Sequence, residues 1–223
     1  MKPIEVRRLG RVRYADGLAL QERLVAQRQA GAITDTLLVR EHEALFTLGR
    51  NTSSEHVLCP AEDLRARGFG VFQTGRGGDV TYHGPGQVVG YPILDLSPGR
   101  RDVHRYVRDL EEVMIRTCAD YGIAGERVDG RTGCWVGREK IGAIGVRIAR
   151  WVTSHGFALN VRNDLAPFGL IVPCGIRDRG VTSLARLLGR EPAIEDVMDR
   201  LAGHLLAVFD RQVELRATPT AAR

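Results

Sequence analysis

Thr74–Gln87, TGRGGDVTYHGPGQ, carries five glycines, a proline, an arginine and a histidine, and it runs directly into Gln87–Leu96, QVVGYPILDL. The second of these stretches decides the fold. A glycine-rich loop that opens a helix is a phosphate cradle, but this one opens a β-type run of valine, tyrosine and isoleucine. It also lacks the G-x-G-x-x-G spacing of a dinucleotide-binding turn and the G-K-[ST] ending of a P-loop. Bound nucleotide is not indicated. The loop is instead built to bring backbone against a ligand, because an ordinary reversal needs one or two glycines and each costs backbone entropy.

Working outward, strand-like and helix-like segments alternate. Ile4–Leu9, Thr36–Arg40, Ala44–Leu48, Gly70–Gln73, Val80–His83 and Val88–Leu94 read as strands. A helix is expected over Tyr14–Ala30, with Tyr14, Leu18, Leu24 and Val25 among its apolar positions, and a short one after Pro60. The clearest helix comes after Asp102, an N-cap, with Val103, Tyr106, Val107, Leu110, Val113, Met114, Thr117 and Tyr121 recurring at threes and fours until Gly122. Strands at Gly133–Gly137, Lys140–Ala149 and Val152–Val161 come next as antiparallel neighbours, then a helix over Ala193–Asp210. No repeat, low-complexity linker or composition shift divides the chain. The expected architecture is α/β (α+β): one domain, residues 1–210, with helices on a mixed sheet, and a frayed tail, 211–223, that has nothing to bury.

Composition narrows the function. At 223 residues, 43% hydrophobic and 26% charged, the chain reads as an ordinary globular protein. Neither a bilayer-length apolar run nor a signal-peptide core is present, so a cytoplasmic protein without a membrane partner is expected. The four cysteines, Cys59, Cys118, Cys134 and Cys174, show neither C-x-x-C pairing nor zinc spacing, which argues against a metal site and a disulfide scaffold. The net charge of +5 and pI near 9.3 call for an acidic partner. Basic residues scattered without interleaved aromatics argue against nucleic acid and for an acidic protein.

Two further motifs can carry chemistry. Arg138–Gly145, REKIGAIG, sets Lys140 at the entry of a strand of small residues, against which a ligand can lie. Ile171–Ile176, IVPCGI, sets Cys174 between proline and glycine, neighbours that favour an exposing bend, whereas Cys118 falls on a helix face suited to burial.

Taken in order, RGGDVTYHGPGQ, GCWVG, KIGAIGV, HGFALNV, PCGI and VTSL resemble the octanoyl transferases of lipoate biosynthesis, from about Leu37 to Leu188. The resemblance implies a fold similar to the catalytic domain of lipoate and biotin protein ligases. It implies transfer of octanoyl from the thioester of acyl carrier protein to a lysine ε-amino group on lipoyl domains of 2-oxoacid dehydrogenases and glycine cleavage H protein. No cofactor is needed beyond the phosphopantetheine on the carrier. By the same resemblance Cys174 is the nucleophile and Lys140 its acid/base partner. Arg76, Gly77, Gly78, Asp79, Val80, Thr81, Tyr82, His83, Ala143, Ile144, Gly145, Gly156, Phe157 and Ala158 would line the acyl site. His83 can serve there as donor to the thioester carbonyl or as a structural hydrogen-bonder. Asp79 and Gln87 read as loop-shaping. An ATP-dependent lipoate or biotin ligase of the same fold is the alternative; it needs no cysteine, and PCGI and HGPGQ speak against it.

The implied pairing suits the residues. A free cysteine is only about 3% thiolate at pH 7, and an ammonium that lowers its pKa to about 7 raises that fraction roughly fifteenfold.

Overall fold

The computed structural model describes residues 2–97, 99–172 and 179–213. Its elements are β1 (Lys2–Arg11), α1 (Tyr14–Gln29), β2 (Asp35–Glu41), β3 (Leu45–Leu48), α2 (Ala61–Ala66), β4 (Gly70–Gln73), β5 (Thr81–His83), β6 (Gln87–Ile93), α3 (Val103–Ala119), β7 (Glu126–Val128), β8 (Arg131–Val136), β9 (Glu139–Ala149), β10 (Val152–Asn160), β11 (Gly180–Val181), α4 (Leu184–Leu188), α5 (Ile194–Phe209) and β12 (Arg211–Val213). The large sheet runs β12-β1-β2-β6-β10-β9-β8-β7, with β11 added beside β9, and a small sheet runs β4-β3-β5. β1 pairs in parallel with β2 and β12, while β6, β10, β9 and β8 are antiparallel neighbours. The expected mixed sheet flanked by helices is what forms.

Central β2 explains the layering. Its Leu37, Leu38 and Val39 are all fully buried, which requires cover on both faces. Leu37 and Val39 face Leu110, Val113 and Met114 of α3 and Leu201 and Leu205 of α5. Leu38 faces Leu24 of α1, together with Val89, Tyr91 and Ala158. The Asp102 side chain accepts the Arg105 N–H at 3.0 Å, so the N-cap forms where the sequence places it. Val103 does not join the apolar face; it is 45% exposed.

α1 departs from its apolar pattern. The helix buries Tyr14, Gly17, Gln21 and Leu24, and leaves Leu18 and Val25 half-buried. Gly17 is inside because a Cβ there would sit 1.7 Å from Arg40 Nη1. Gln21 is inside because its Oε1 accepts the His155 N–H at 2.8 Å.

The C-terminal segment is another difference. Arg211–Val213, expected to be frayed, forms β12 against β1. Buried Asp35 holds it: one carboxylate oxygen takes Arg211 Nε at 2.9 Å and the other takes Arg28 Nε at 2.8 Å. An ion pair of this kind leaves no hydrophobic period to read. Residues 214–223 lie outside the described residues.

Close approach of β6 and β10 gives a test of packing. A Cβ on Gly156 would lie 2.1 Å from the main-chain oxygen of Gly90, so a strand must move. Gly156→Ala is expected to destabilise by about 3 kcal/mol, which lowers Tm by roughly 6–12 °C in a chain of this size. Gly203, exposed in α5 with nothing within 4 Å of its would-be Cβ, should respond oppositely. There Ala is expected to gain about 1 kcal/mol. Thermal unfolding of the two variants checks both signs.

Candidate active site

The loop between β4 and β5 is clamped onto β9 and the end of β3. Arg76 is almost fully buried; its Nη2 donates to Thr47 O at 2.6 Å and its Nε to Thr47 Oγ1 at 3.2 Å. Gly77 N–H reaches Val146 O at 2.8 Å. Gly78, at φ +83, accepts the Asn51 N–H at 3.1 Å. Asp79 caps the next strand, its Oδ1 accepting the Val80 N–H at 2.7 Å while Oδ2 meets His56 Nδ1.

Beneath the loop lies a cavity of about 490 Å³, mouth included. Its floor is the face of the large sheet toward α1. Gly145 pairs with Gly156 and Ala143 with Ala158 across β9 and β10, so four small residues leave the sheet bare at that point. The expected residues Arg76, Gly78, Asp79, Thr81, His83, Ala143, Ile144, Gly145, Gly156, Phe157 and Ala158 surround this one cavity. Gly77, Val80 and Tyr82 do not line it. Gly77 is stitched to β9, and Val80 and Tyr82 pack the other way, with Phe46, Leu64 and Phe168.

Four lining residues escape the sequence reading: Tyr14, Val89, Tyr91 and His155. Strand alternation offers a signal for two of them, since Val89 and Tyr91 share a face of β6 with the small residues of β10. His155 gives none, because it takes φ +54 inside a strand, a conformation rare outside glycine. The wall they form is polar at depth. Tyr91 Oη meets His42 Nε2 at 2.6 Å, and His83 Nδ1 meets Gln87 Oε1 at 2.8 Å. Gln87 Nε2 in turn donates to Asn160 Oδ1 at 2.9 Å, so Gln87 orients His83 as well as shaping the loop.

Burial pushes His83 down to about 4, opposed by the Gln87 bond and helped by Arg76. Burial, with Arg76 and Arg147, pushes His155 to about 4 as well. His42 falls to about 2, again through burial first. All three are neutral in the folded protein at neutral pH, whereas an unfolded histidine takes a proton near 6.5. With folded values depressed, the unfolded chain binds more protons between pH 6.5 and 4, so stability is complete above 6.5 and falls as pH falls. Each histidine is expected to contribute a slope of about 1.4 kcal/mol per pH unit there. Urea unfolding at pH 7 and 5 checks this; an unchanged midpoint would contradict it.

Lys140 lies on the same strand as Ala143 and Gly145, 6% exposed, with Nζ 5.1 Å from the centre of the Trp135 ring. A β-bulge aims it there. Cys134 pairs with Gly142 but Trp135 pairs with Lys140, so Ile141 is one residue extra in β9. Ile141 packs on the α3 side, and a Cβ at Gly142 would meet Met114 Sδ there. Lys140 and Ala143, three apart, therefore both point to the opposite face. Gly133, at φ +127, leaves space for the lysine, since a Cβ there would lie 2.6 Å from Lys140 Cε.

Cys174 lies outside the described residues, but its flanks are placed. Val172 N–H donates to His56 O at 2.8 Å, and Val181 pairs with Lys140 itself. Cys59, Cys118 and Cys134 are buried thiols. Cys134 is pushed up by its hydrogen bond with Cys118 and by burial, which keeps it protonated and inert. Among the described residues no three His, Cys, Asp or Glu side chains could hold a metal ion, and no helix is long and apolar enough to cross a membrane.

Comparison with known proteins leads the same way. The family "Lipoyl protein ligase A/B catalytic domain" matches residues 13–206. The octanoyltransferase of Chloroflexus aggregans is 54% identical, over 94% of this chain and 96% of its own length. That of Solibacter usitatus is 52% identical, over 92% of each. A putative lipoate protein ligase of T. acidophilum with bound lipoic acid superposes with a TM-score of 0.77 at 15% identity, over 96% of this chain and 88% of that one. The biotin protein ligase of Aquifex aeolicus, with biotin and ATP, gives 0.57 at 14% identity, over 92% and 70%. The fold expected from the motifs is the one found.

Proposed function

The chain belongs to the lipoyl protein ligase A/B catalytic domain family, among its octanoyltransferases, and from that membership we propose that Cys174 carries the acyl group between two protein partners. It is an acyltransferase of protein lipoylation. The finer reading is that octanoyl leaves the pantetheine thioester of acyl carrier protein, rests on Cys174, and passes to a lipoyl-domain lysine. The observation that carries it is a cavity floored by Ala143, Gly145, Gly156 and Ala158, with the buried Lys140 three residues before Ala143 on the same face of β9.

Atoms and protons balance along this route. The Cys174 thiolate attacks the thioester carbonyl, the bond to the pantetheine sulfur breaks, and the Lys140 ammonium protonates the leaving thiolate. The neutral Lys140 amine then takes a proton from the incoming lysine, which at a pKa near 10.4 is otherwise almost wholly protonated. That amine attacks the acyl-cysteine, the amide forms, its second proton passes to solvent, and the Cys174 thiolate returns. The slot shields the intermediate from water. Six more methylenes than acetyl, at about 0.8 kcal/mol each, favour octanoyl by about 5 kcal/mol. The net positive charge suits acidic carrier and lipoyl domains.

Incubation with octanoyl-carrier protein and no ATP tests this. The expected result is a mass gain of one octanoyl group on the Cys174 peptide, discharged by added lipoyl domain. Transfer that requires free octanoate and ATP, with no adduct, would establish an adenylate-forming ligase instead.

A further inference from the structure

Trp135 sits across from Lys140 in the β8–β9 register, at the bulge. Its ring is 1% exposed and is oriented by Nε1–H donating to Arg131 O at 3.3 Å. Two cations use that ring: Lys140 Nζ at 5.1 Å and the Arg179 guanidinium at 5.4 Å from its centre. Arg179 is itself tied to the strand turn, its Nη1 donating to Gly137 O at 3.2 Å. Three features thus converge on the ammonium: the bulge that turns Lys140 to this face, the space left by Gly133, and a π face to rest on.

We propose that Trp135 is a positioning residue of Lys140, helping to hold its amine at one point in both protonation states through the two halves of the transfer. The proposal rests on Lys140 being the acid/base of that transfer. A lysine that must lose a proton in the first half and regain one in the second is poorly served by a carboxylate partner, which favours the charged form alone. An aromatic face attracts the ammonium, takes no proton from it, and still packs against the neutral amine. The carboxylates of Glu111 and Glu139 have arginine partners. Glu111 of α3 accepts the Gly133 N–H at 3.0 Å and pairs with Arg108 and Arg127, and Glu139 pairs with Arg186 of α4 at 3.5 Å. Arg179, sharing the ring, adds a like charge that moderates the hold on the ammonium.

Trp135→Phe keeps a π face and Trp135→Leu removes it at similar loss of volume. Three measurements are made on each: kcat and KM with octanoyl-pantetheine and a lipoyl domain, the pH profile of Cys174 alkylation by iodoacetamide, and Tm. The leucine variant is expected to lose at least tenfold in kcat with KM within twofold and to need higher pH for alkylation. The phenylalanine variant should stay within threefold with the original profile. Trp135→Met repeats the comparison if the leucine variant does not fold. In Lys140→Ala, adding Trp135→Leu should cost nothing further. Equal losses in the Phe and Leu variants that track Tm, or a further tenfold fall in the double variant, would reduce Trp135 to core packing and overturn the proposal. Wild-type turnover in Lys140→Ala alone would instead remove the acid/base reading on which it rests.

Discussion

Cys174→Ser is expected to abolish octanoyl transfer, by at least about a thousandfold in kcat, while Cys118→Ser keeps turnover and loses stability. The hydroxyl of serine is protonated at neutral pH and is a far weaker nucleophile than a thiolate. Cys118 differs because it is fully buried in the hydrophobic core beneath α3, in contact with Cys134. A hydroxyl there costs about 1–3 kcal/mol unless it finds a partner. Turnover measured at 25 °C on folded protein separates the two sites. A Cys174→Ser enzyme at wild-type rate would end the covalent route.

Removal of Lys140 should be nearly as severe, and the choice of replacement is informative. Lys140→Ala is expected to cost about 10²–10⁴ in kcat, the usual range for a general acid/base, and to shift Cys174 alkylation to higher pH. Lys140→Arg keeps the charge but cannot give up a proton at working pH. It should still assist thiolate formation and permit acylation, with the pantetheine thiolate leaving as the anion and taking its proton from solvent, then fail when the incoming lysine must be deprotonated. The octanoyl-Cys174 adduct should therefore accumulate in the arginine variant, visible as a stable mass gain without product amide. Rapid discharge of that adduct at the wild-type rate would show that the acceptor is deprotonated by some other group.

Much of this is readable in the sequence, for reasons that differ by element. β2 is legible because Leu37, Leu38 and Val39 form an unbroken apolar run, and α3 because its buried residues recur at helical spacing. The glycine loop and the small residues of β9 and β10 are legible because only small side chains leave backbone open to a ligand. α1 is half legible: its inward face is set by Arg40 and His155, distant in sequence, which place Gly17 and Gln21 inside. β12 is illegible because it is anchored by Arg211 and Asp35 and not by a hydrophobic pattern. His155 is illegible because nothing in its neighbours announces φ +54. Trp135 and Gly133 act through cross-strand register, which a one-dimensional pattern does not contain.

The extra residue at Ile141 sets the parity of the strand. Counting by twos from Ala143 and Gly145 back along β9 reaches Ile141, not Lys140, so in a regular strand the Lys140 amine and the slot floor would be out of phase by one position. Straightening the bulge without changing any residue would turn the amine to the far side of the sheet, with every chemical group still present. Grafting the KIGAIG segment into a regular strand of another scaffold would have the same result. Deleting Ile141 would restore an even count and leave the amine on the slot side, at the loss of a fully buried side chain. A scaffold that borrows this lysine must therefore take the odd spacing and the bulge together, or neither.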